Sequence, residues 1–406
     1  MRYNSYTLYL SEMGLEPGGI DEYTLGFAKA LDSMGKLNLL FGDLLESEVS
    51  LSKSEWFNTY YKRNLGLKRG DKNFLGRKFN SAIYETKLWR FYYRMLKQTK
   101  KSNSFLIICS ISNNSTRIIK LCEFLKIKYA IVFHGLDLLT KNELPQKSFE
   151  YSIRKSSLLI FNSQATQKLF HSIYDEVRKQ EYIHYPGIDL KSIDKTLFIP
   201  IEELGKEFDL DLKSKILVVT IARLVKRKGV EIAINELAPL IKKNPNLIYL
   251  IAGIGPELES LKRVTGEFKL QKNVHFLGRI SDAQKFSLLK HSHIFVMPNH
   301  SLSGKDFEGF GISFIEASYL ENVVVGGKSG GAVEAIKDGV SGIVIDFESN
   351  SYQDEFRTYF SDLINNSSQI ETISKTGRKY IIENFDTGSL AKKFNDFMAH
   401  VEINQQ

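Results

Sequence analysis

The chain has 406 residues, of which 43% are hydrophobic and 25% charged, the composition of an ordinary globular protein. Its two cysteines, Cys109 and Cys122, exclude a disulfide framework and favour a reducing compartment. The longest apolar runs are far shorter than the roughly 18–20 residues that cross a bilayer, and no signal peptide is visible. We therefore expect a cytoplasmic protein that is soluble or peripherally attached to the inner face of the cytoplasmic membrane.

The net charge of +8 is concentrated in one segment. Residues 61–101 hold 13 Lys and Arg side chains but only two acids, so the net positive charge of this segment is larger than that of the whole chain. The pattern indicates a local basic patch rather than a generally basic protein.

The length predicts two or three domains, two being favoured. In the first half, short apolar runs alternate with helical patterns, which is the βαβ rhythm of a parallel sheet. The predicted strands are SYTLYLSE, KLNLLFGD, SFLIICSIS, KYAIVFHG and SSLLIFNS. A helix after the first strand is predicted from the apolar spacing of Tyr23, Phe27, Leu31 and Met34.

A polar, strand-poor stretch over residues 186–215 is the predicted linker. The rhythm then restarts with KILVVTIARL, NLIYLIAGIGP, NVHFLGRIS, HIFVMPN and NVVVGG as strands. We therefore predict two Rossmann-like domains, 1–195 and 196–380. Residues 381–406 are predicted to form a helix that packs back on the first domain.

Two patterns in the second half suggest an anion site. Arg223 follows a predicted strand and Lys228 precedes a helix, so two cations lie at a strand-to-helix loop, as suits a diphosphate. Glu308 and Glu316 flank a Gly-Phe-Gly turn and an apolar helix start, which places both carboxylates near a helix N-terminus. The alternatives are a solvated basic loop and two surface acids on a well-capped helix.

These motifs resemble the retaining glycosyltransferases of family 4. The similarity is most specific over residues 216–345 and looser before residue 130. It rests on the stretches PGGIDEYTLGFAKAL, FHGLD, FNSQATQKL, YPGID, ARLVKRKGV, LIAGIGP, VHFLGRIS, FVMPN, EGFGISFIEA and GGKSGGAVEAIKDGVSGIVI. The resemblance implies an α/β protein of the GT-B fold, with two Rossmann-like domains facing across a cleft. It implies that domain 1–195 lies on the acceptor side and that domain 196–380 binds the nucleotide sugar.

The resemblance implies a role for each matching residue of the second domain. Arg223 and Lys228 would bind the diphosphate and stabilise the departing nucleotide, Glu316 would hold the ribose hydroxyls, and Glu308 would contact the donor sugar. Backbone N–H groups near Phe310 and Gly311 would cover the phosphates.

In the first domain, the resemblance implies that Gly18 and Gly19 let a loop approach the donor, since glycine has no Cβ. His134 would lie near the transferred sugar as an active-site residue, and Asp137 is a weaker acceptor-side candidate. The alternative for His134 is a packed structural histidine after an apolar strand.

The reaction implied by the resemblance is retaining transfer of a hexose from a nucleotide-diphosphate sugar to a glycan or lipid-linked acceptor, in bacterial polysaccharide or glycolipid synthesis. The stretch GKDFEGFGISFIEA is similar to mannosyltransferases that use GDP-mannose, and a UDP-sugar is the other donor considered. No cofactor and no metal are expected, because the Asp209-Leu-Asp211 pair fits a solvated turn. The alternatives are a nucleotide-sugar epimerase of the same fold and a non-catalytic nucleic-acid-binding protein.

The basic segment contains a predicted amphipathic helix. Its basic stripe comprises Lys87, Arg90, Arg94, Lys97 and Lys101, with Tyr84, Leu88, Phe91 and Met95 forming an apolar stripe beside it. Such a helix suits an anionic membrane surface. The alternatives are an ordinary helix with a solvated basic face and, without a recognisable module to support it, a nucleic-acid site.

Overall fold

In the computed structural model, the described residues are 3–13, 18–44, 60–62, 74–139, 146–301 and 306–401. The chain forms two compact units. Unit 1 comprises Met1–Asn162, Thr166–Tyr185 and Thr387–Gln406, and unit 2 comprises Ser163–Ala165 and Pro186–Asp386. The chain therefore leaves unit 1 at residue 185 instead of 195, and returns to it at residue 387 instead of 381.

Each unit is built around a parallel sheet. The strands in the described part of the chain are β1 Ser5–Met13, β2 Leu37–Leu44, β3 Tyr60–Lys62, β4 Ser104–Ile108, β5 Tyr129–Phe133, β6 Leu158–Phe161, β7 Glu181–Ile183, β8 Ile216–Ile221, β9 Leu247–Ala252, β10 Val274–Gly278, β11 Ile294–Met297, β12 Val323–Gly327 and β13 Gly342–Ile345. Every residue of β4, β5, β6, β9, β11 and β12 is buried, as in sheets that helices cover on both faces. Continuous apolar runs in the sequence thus correspond to buried strands.

The helices connect and cover these strands. Within the described residues they are α1 Gly19–Ser33, α2 Phe74–Lys101, α3 Asn113–Leu125, α4 Leu136–Leu139, α5 Gln146–Lys155, α6 Gln164–Ile173, α7 Leu190–Asp194, α8 Ile201–Glu207, α9 Val230–Lys243, α10 Leu258–Glu267, α11 Asp282–His291, α12 Ile312–Tyr319, α13 Ala332–Ala335, α14 Tyr352–Asn365, α15 Ser367–Asn384 and α16 Thr387–His400. None of the helices in this part of the chain is long and apolar enough to cross a membrane.

The sheet of unit 1 has the strand order β3-β2-β1-β4-β5-β6-β7. One of its cores includes buried side chains of α2, α3, α5 and α6, such as Leu88, Ile118 and Phe170. A second core includes side chains of α1 and α16, such as Phe27 and Phe394. The final helix α16 is therefore a structural part of the first unit.

The sheet of unit 2 has the strand order β10-β9-β8-β11-β12-β13. Its core combines strand residues with side chains from α9, α10 and α14, such as Leu237, Leu261 and Phe356. The strands β9 and β11 lie on opposite sides of β8, so the strand order reverses between β8 and β11. In sheets of this kind, ligands bind beyond the carboxyl ends of the strands at such a point.

The predicted linker over residues 186–215 is part of unit 2. It contains the short helices α7 and α8, and Leu204 and Leu212 are buried. The sequence prediction of a linker was wrong because helices of five and seven residues leave too short an apolar pattern to be recognised.

Helix α2 carries the basic stripe predicted from the sequence. The side chains of Lys87, Arg90, Arg94, Lys97 and Lys101 are exposed. The neighbouring apolar residues Leu88, Tyr92, Met95 and Leu96 are buried in the core of unit 1, and Trp89 and Phe91 pack partly against it. The apolar stripe is thus core and is not available to a membrane, while residues 63–73 and the side chains of 74–84 lie outside the described part of the chain.

Candidate functional site

The candidate site in unit 2 begins where β8 ends. After this strand the chain forms a short 3-10 turn, Lys226–Lys228, and then enters α9 at Gly229. Gly229 has a φ of 65°, and a Cβ there would lie 2.0 Å from the carbonyl oxygen of Pro298, which follows β11. Glycine at this position therefore lets the basic turn pack directly against the end of β11.

The cations of this turn divide into two classes. Arg223 and Lys226 are exposed, whereas Arg227 and Lys228 are each only 8% exposed. The alternative of a solvated basic loop therefore describes Arg223 and Lys226 but not the other two. Arg223 lies close enough for its charge to lower the pKa of the Lys228 ammonium, an effect that adds to the larger one of burial.

Glu308 is the partner of the buried cations. Its Oε2 atom accepts from Lys228 Nζ at 2.5 Å and from Arg227 Nη1. Burial of this carboxyl group raises its pKa, but the positive charges of Lys228 and Arg227 outweigh that effect and hold the pKa below its usual range. Glu308 is therefore a buried, ionised carboxylate.

Glu316 lies in the second turn of α12 and is 7% exposed. Its Oε1 atom accepts from Lys285 Nζ of α11 at 2.8 Å. The two carboxylates predicted as a pair therefore have different cation partners. The partners of Glu308 lie on the turn after β8, and the partner of Glu316 lies on α11.

The turn between the two carboxylates is held in place by the packing of the Phe310 side chain. Gly311 is the N-cap of α12 and has a φ of 92°, a conformation that favours glycine. The Phe310 ring is 2% exposed and packs against Phe385 at 5.4 Å between centroids. The side chain of Phe310 is thus a packing anchor, so only its backbone is available for the predicted contact with phosphate.

A glycine-rich loop after β12 packs against Glu308. The N–H group of Gly331 donates to the carbonyl oxygen of Glu308 at 2.8 Å. Gly330 has a φ of 55°, and a Cβ there would lie 2.1 Å from the same oxygen. The backbone that carries Glu308 is therefore held by residues that follow the next strand of the sheet.

The predicted residues of unit 1 lie at the ends of its central strands. His134 follows β5, and its Nε2 atom lies 2.8 Å from the carbonyl oxygen of Cys109, which follows β4. Burial lowers the pKa of His134 to about 4, although this hydrogen bond opposes the shift. His134 is therefore neutral at pH 7, donates from Nε2, and cannot act as a proton donor in its charged form.

Asp137 is placed as a cap of the same loop. Its carboxylate accepts from the backbone N–H of His134 at 3.0 Å and 3.2 Å. Burial raises the pKa of Asp137 to about 6, and hydrogen bonds from backbone N–H groups partly oppose the increase. The contacts of Asp137 account for it as a loop-stabilising residue, and its acceptor-side role stays a prediction.

Gly18 and Gly19 begin α1, and both are exposed. The N–H group of Gly18 donates to the Asp21 carboxylate at 2.8 Å. Its φ is −110°, and no described atom lies within 4 Å of an ideal Cβ at this position. Packing within the described chain thus does not require glycine at residue 18, and the preceding Pro17 lies outside the described residues.

The comparison with protein families identifies the second half. Residues 205–380 match the family model described as Glycosyl transferases group 1, and this range includes the Lys228, Glu308 and Glu316 sites. Over these residues the chain is similar to the group 1 glycosyltransferases. The family 4 resemblance noted in the sequence is consistent with this match.

Curated relatives of the chain include mannosyltransferases. The GDP-mannose-dependent alpha-(1-6)-phosphatidylinositol monomannoside mannosyltransferase of Mycolicibacterium smegmatis is 29% identical over 231 residues, 57% of this chain and 59% of that protein. The alpha-1,3/1,6-mannosyltransferase ALG2 of Mus musculus is 24% identical over 266 residues, 61% of this chain and 60% of that protein. The chain thus matches about three-fifths of the length of these relatives.

Solved structures show the fold over the whole chain. HepE of Anabaena in complex with UDP and glucose has a TM-score of 0.72 and 18% identity, covering 98% of this chain and 100% of that one. A glycosyltransferase from Rickettsia africae has a TM-score of 0.74 and 16% identity, with the same coverage. The chain therefore has the GT-B fold, as predicted.

Two residues of the site were not predicted. Arg227 lies within the stretch ARLVKRKGV, yet its ion pair with Glu308 spans 81 residues of sequence. Lys285 carried no signal in the sequence, because its partner Glu316 lies 31 residues further along the chain. Pairing over such separations is set by the sheet topology and is not visible in local spacing.

Proposed function

We propose that the protein is a retaining glycosyltransferase that moves a hexose from GDP-mannose or a UDP-sugar to a glycan or lipid-linked acceptor. One observation carries this proposal. In a unit of the group 1 family, the Lys228 ammonium is buried beside the Glu308 carboxylate where the strand order reverses. A cation at that point is suited to the diphosphate of a nucleotide sugar.

The proposed roles follow from the contacts of each side chain. Arg223 and Lys228 would stabilise the charge that develops on the departing diphosphate. The Glu308 carboxylate would accept hydrogen bonds from hydroxyls of the donor sugar. The Glu316 carboxylate would accept hydrogen bonds from the ribose hydroxyls. With Nε2–H donated to Cys109, a neutral His134 would offer Nδ1 as an acceptor for a hydroxyl of the transferred sugar.

The stereochemical course is part of the proposal. Breaking the anomeric bond leaves partial positive charge on the sugar and negative charge on a phosphate oxygen. We propose that the acceptor hydroxyl then attacks the anomeric carbon within this ion pair, from the face that the leaving group has just vacated, and forms the new glycosidic bond. The leaving phosphate takes the acceptor proton. Arg223 and Lys228 would stabilise the negative charge on the leaving phosphate without a metal ion, so we propose metal-independent transfer.

The membrane is the proposed location of the acceptor. One relative named above is a phosphatidylinositol monomannoside mannosyltransferase, and its name refers to a lipid-linked sugar. The exposed basic stripe of α2 would bind anionic headgroups on the cytoplasmic face through charge, because the apolar side of the helix is buried in the core. Phe124 of the neighbouring helix α3, 76% exposed, would add an apolar contact.

Donor binding provides the first test. A thermal-shift screen of GDP-, UDP- and ADP-sugars should raise the melting temperature with one base class, because a ligand that binds only the folded state stabilises it. Titration of that donor into the Lys228→Ala and Glu316→Ala variants should show binding weakened by about 1–3 kcal/mol. The matched control is Lys226→Ala, which removes an exposed cation of the same turn. If Lys228→Ala and Glu316→Ala bind the donor as tightly as Lys226→Ala and the wild type, Lys228 and Glu316 are not donor-binding residues.

Product analysis provides the second test. The enzyme is incubated with the donor identified above, with and without a lipid-linked or glycan acceptor, in buffer containing a chelator. Transfer to the acceptor with the anomeric configuration of the donor is expected. A changed sugar on an intact nucleotide would indicate an epimerase, and an inverted linkage or a loss of activity with chelator would contradict the proposed mechanism.

A further inference from the structure

The Glu308 carboxylate is held by two cations on one oxygen atom. Lys228 Nζ and Arg227 Nη1 both contact Oε2. Arg227 also makes a second contact, with its Nε atom 2.8 Å from Asp306 Oδ1. The geometry of this second contact is that of an ion pair rather than an aligned hydrogen bond.

This arrangement creates a competition for Lys228. In the structure the Lys228 ammonium is engaged by Glu308, whereas in the proposed function it binds a diphosphate. Moving it to the phosphate would leave a carboxylate that is 8% exposed, and a buried carboxylate without a cation is strongly disfavoured. Arg227 lies on the same oxygen and can remain there.

We propose that Arg227 is a positioning residue that keeps Glu308 in place and compensated while Lys228 transfers to the diphosphate of a ligand. This inference rests on the proposed function, in which Lys228 binds a nucleoside diphosphate. Arg227 acts on the ligand only through the carboxylate that competes for Lys228.

The chemistry of arginine suits this position. The planar guanidinium has several donors in a fixed fork, so Nε contacts Asp306 while Nη1 contacts Glu308. The fork therefore ties the turn after β8 to the segment after β11 at two points. A lysine would bring the charge but could not reproduce both contacts in one fixed plane.

The test is a double-mutant cycle read by calorimetric titration of GDP and of UDP. The Arg227→Met variant is expected to bind the preferred diphosphate on the order of tenfold more weakly, because Glu308 then depends on Lys228 alone. Adding Glu308→Gln removes the competitor, so the double variant should recover to about the affinity of the Glu308→Gln single variant. A role in packing or in direct phosphate contact would not give this recovery.

Two further variants keep the test decisive. Arg227→Lys is expected to give intermediate weakening that Glu308→Gln also relieves, and it serves if the methionine variant does not fold. Arg263→Met, at an exposed arginine of α10, should bind as wild type. A double variant as weak as Arg227→Met, or an Arg227→Met protein with wild-type affinity, overturns the inference. Wild-type protein that binds neither GDP nor UDP overturns the proposed function, and this inference with it.

Discussion

At the scale of single residues, the chain places an ionised carboxylate in the interior of unit 2. Glu308 is balanced by Lys228 and Arg227, and the Nε atom of Arg227 also contacts Asp306. Burial alone would favour the neutral acid, so its charge depends on these cations. Removing the carboxylate should therefore affect stability as well as ligand binding.

The pH dependence of this effect has a definite sign. The pKa of Glu308 is lower in the folded state than its ordinary value, so its contribution is present above the ordinary pKa of about 4.3 and is lost as pH falls through the folded pKa. We expect Glu308→Gln to lower the free energy of unfolding by about 3 kcal/mol at pH 7, with a smaller deficit at low pH. Urea denaturation between pH 3 and pH 7 measures both effects.

The control for this experiment is Glu231→Gln, at an exposed carboxylate in the first turn of α9. Its free energy of unfolding should stay within about 0.5 kcal/mol of wild type at each pH. A deficit for Glu308→Gln that does not change with pH would show that packing, and not charge, determines the effect.

Residue spacing in the sequence indicated Lys228 and Glu308 but not their contact. The positions of the strand ends could be inferred from apolar runs, and polar residues just after them are good site candidates. Which cation pairs with which acid depends on side-chain directions in the folded unit. Arg227 and Lys285 were therefore found only in the structure, where they contact Glu308 and Glu316.

At the scale of elements, the loop after β12 controls where Glu308 lies. Gly330→Ala would introduce a left-handed alanine, costing about 1–2 kcal/mol, and a clash with the Glu308 carbonyl. The matched control is Gly339→Ala, since Gly339 has a φ of 70° but no described atom within 4 Å of an ideal Cβ. We expect both variants to lose stability, and only Gly330→Ala to lose donor affinity as well.

Thermal melting and calorimetric titration separate the two contributions in this pair of variants. Equal donor affinity in Gly330→Ala and wild-type protein would show that the loop tolerates the displacement. Such a result would remove the argument that this loop positions the carboxylate.

Helix α2 provides a prediction about surfaces. Reversing the charge of Lys87, Arg90, Arg94 and Lys97 to Glu should abolish sedimentation with anionic liposomes, because attraction to headgroups depends on these exposed cations. The control reverses four exposed cations of unit 2, which gives the same change in net charge; they are Lys262, Arg263, Lys269 and Lys272. If the first variant sediments as well as the control, the basic stripe is not a membrane surface.

The elements also show what a sequence pattern can resolve. Alternating strands and helices were predictable because buried parallel strands are continuously apolar. The sequence could not show whether the apolar stripe of α2 packs on the core or enters a membrane, because both kinds of helix face have the same periodicity. Leu88, Tyr92 and Met95 pack in the core of unit 1.

At the scale of the whole molecule, the last helix belongs to the first unit. Phe394 of α16 lies in one core with Phe27 and Tyr6, at ring-centroid distances of 5.3 Å and 5.4 Å. Phe394→Ala should lower the free energy of unfolding of unit 1 by about 3–5 kcal/mol, since it leaves a cavity between helix and sheet. Lys393→Ala, at an exposed position of the same helix, is the control.

Urea unfolding followed by circular dichroism measures this difference. Equal midpoints for the two variants would mean that α16 contributes little to unit 1. The fold class was predicted from the sequence. The boundary between α15 and α16 was not, because the chain between these helices has no glycine or proline to mark it.

The strand-like pairing at the two ends of unit 2 has a consequence for biosynthesis. Ile188 donates its N–H to the carbonyl oxygen of Phe385 at 2.9 Å, so this unit begins and ends at neighbouring points. A ribosome must translate all of it before α16 emerges. Unit 2, although encoded later, can therefore fold before unit 1, which lacks α16 until translation is nearly finished. In stalled nascent chains of increasing length, protection from proteases should accordingly appear in unit 2 before unit 1.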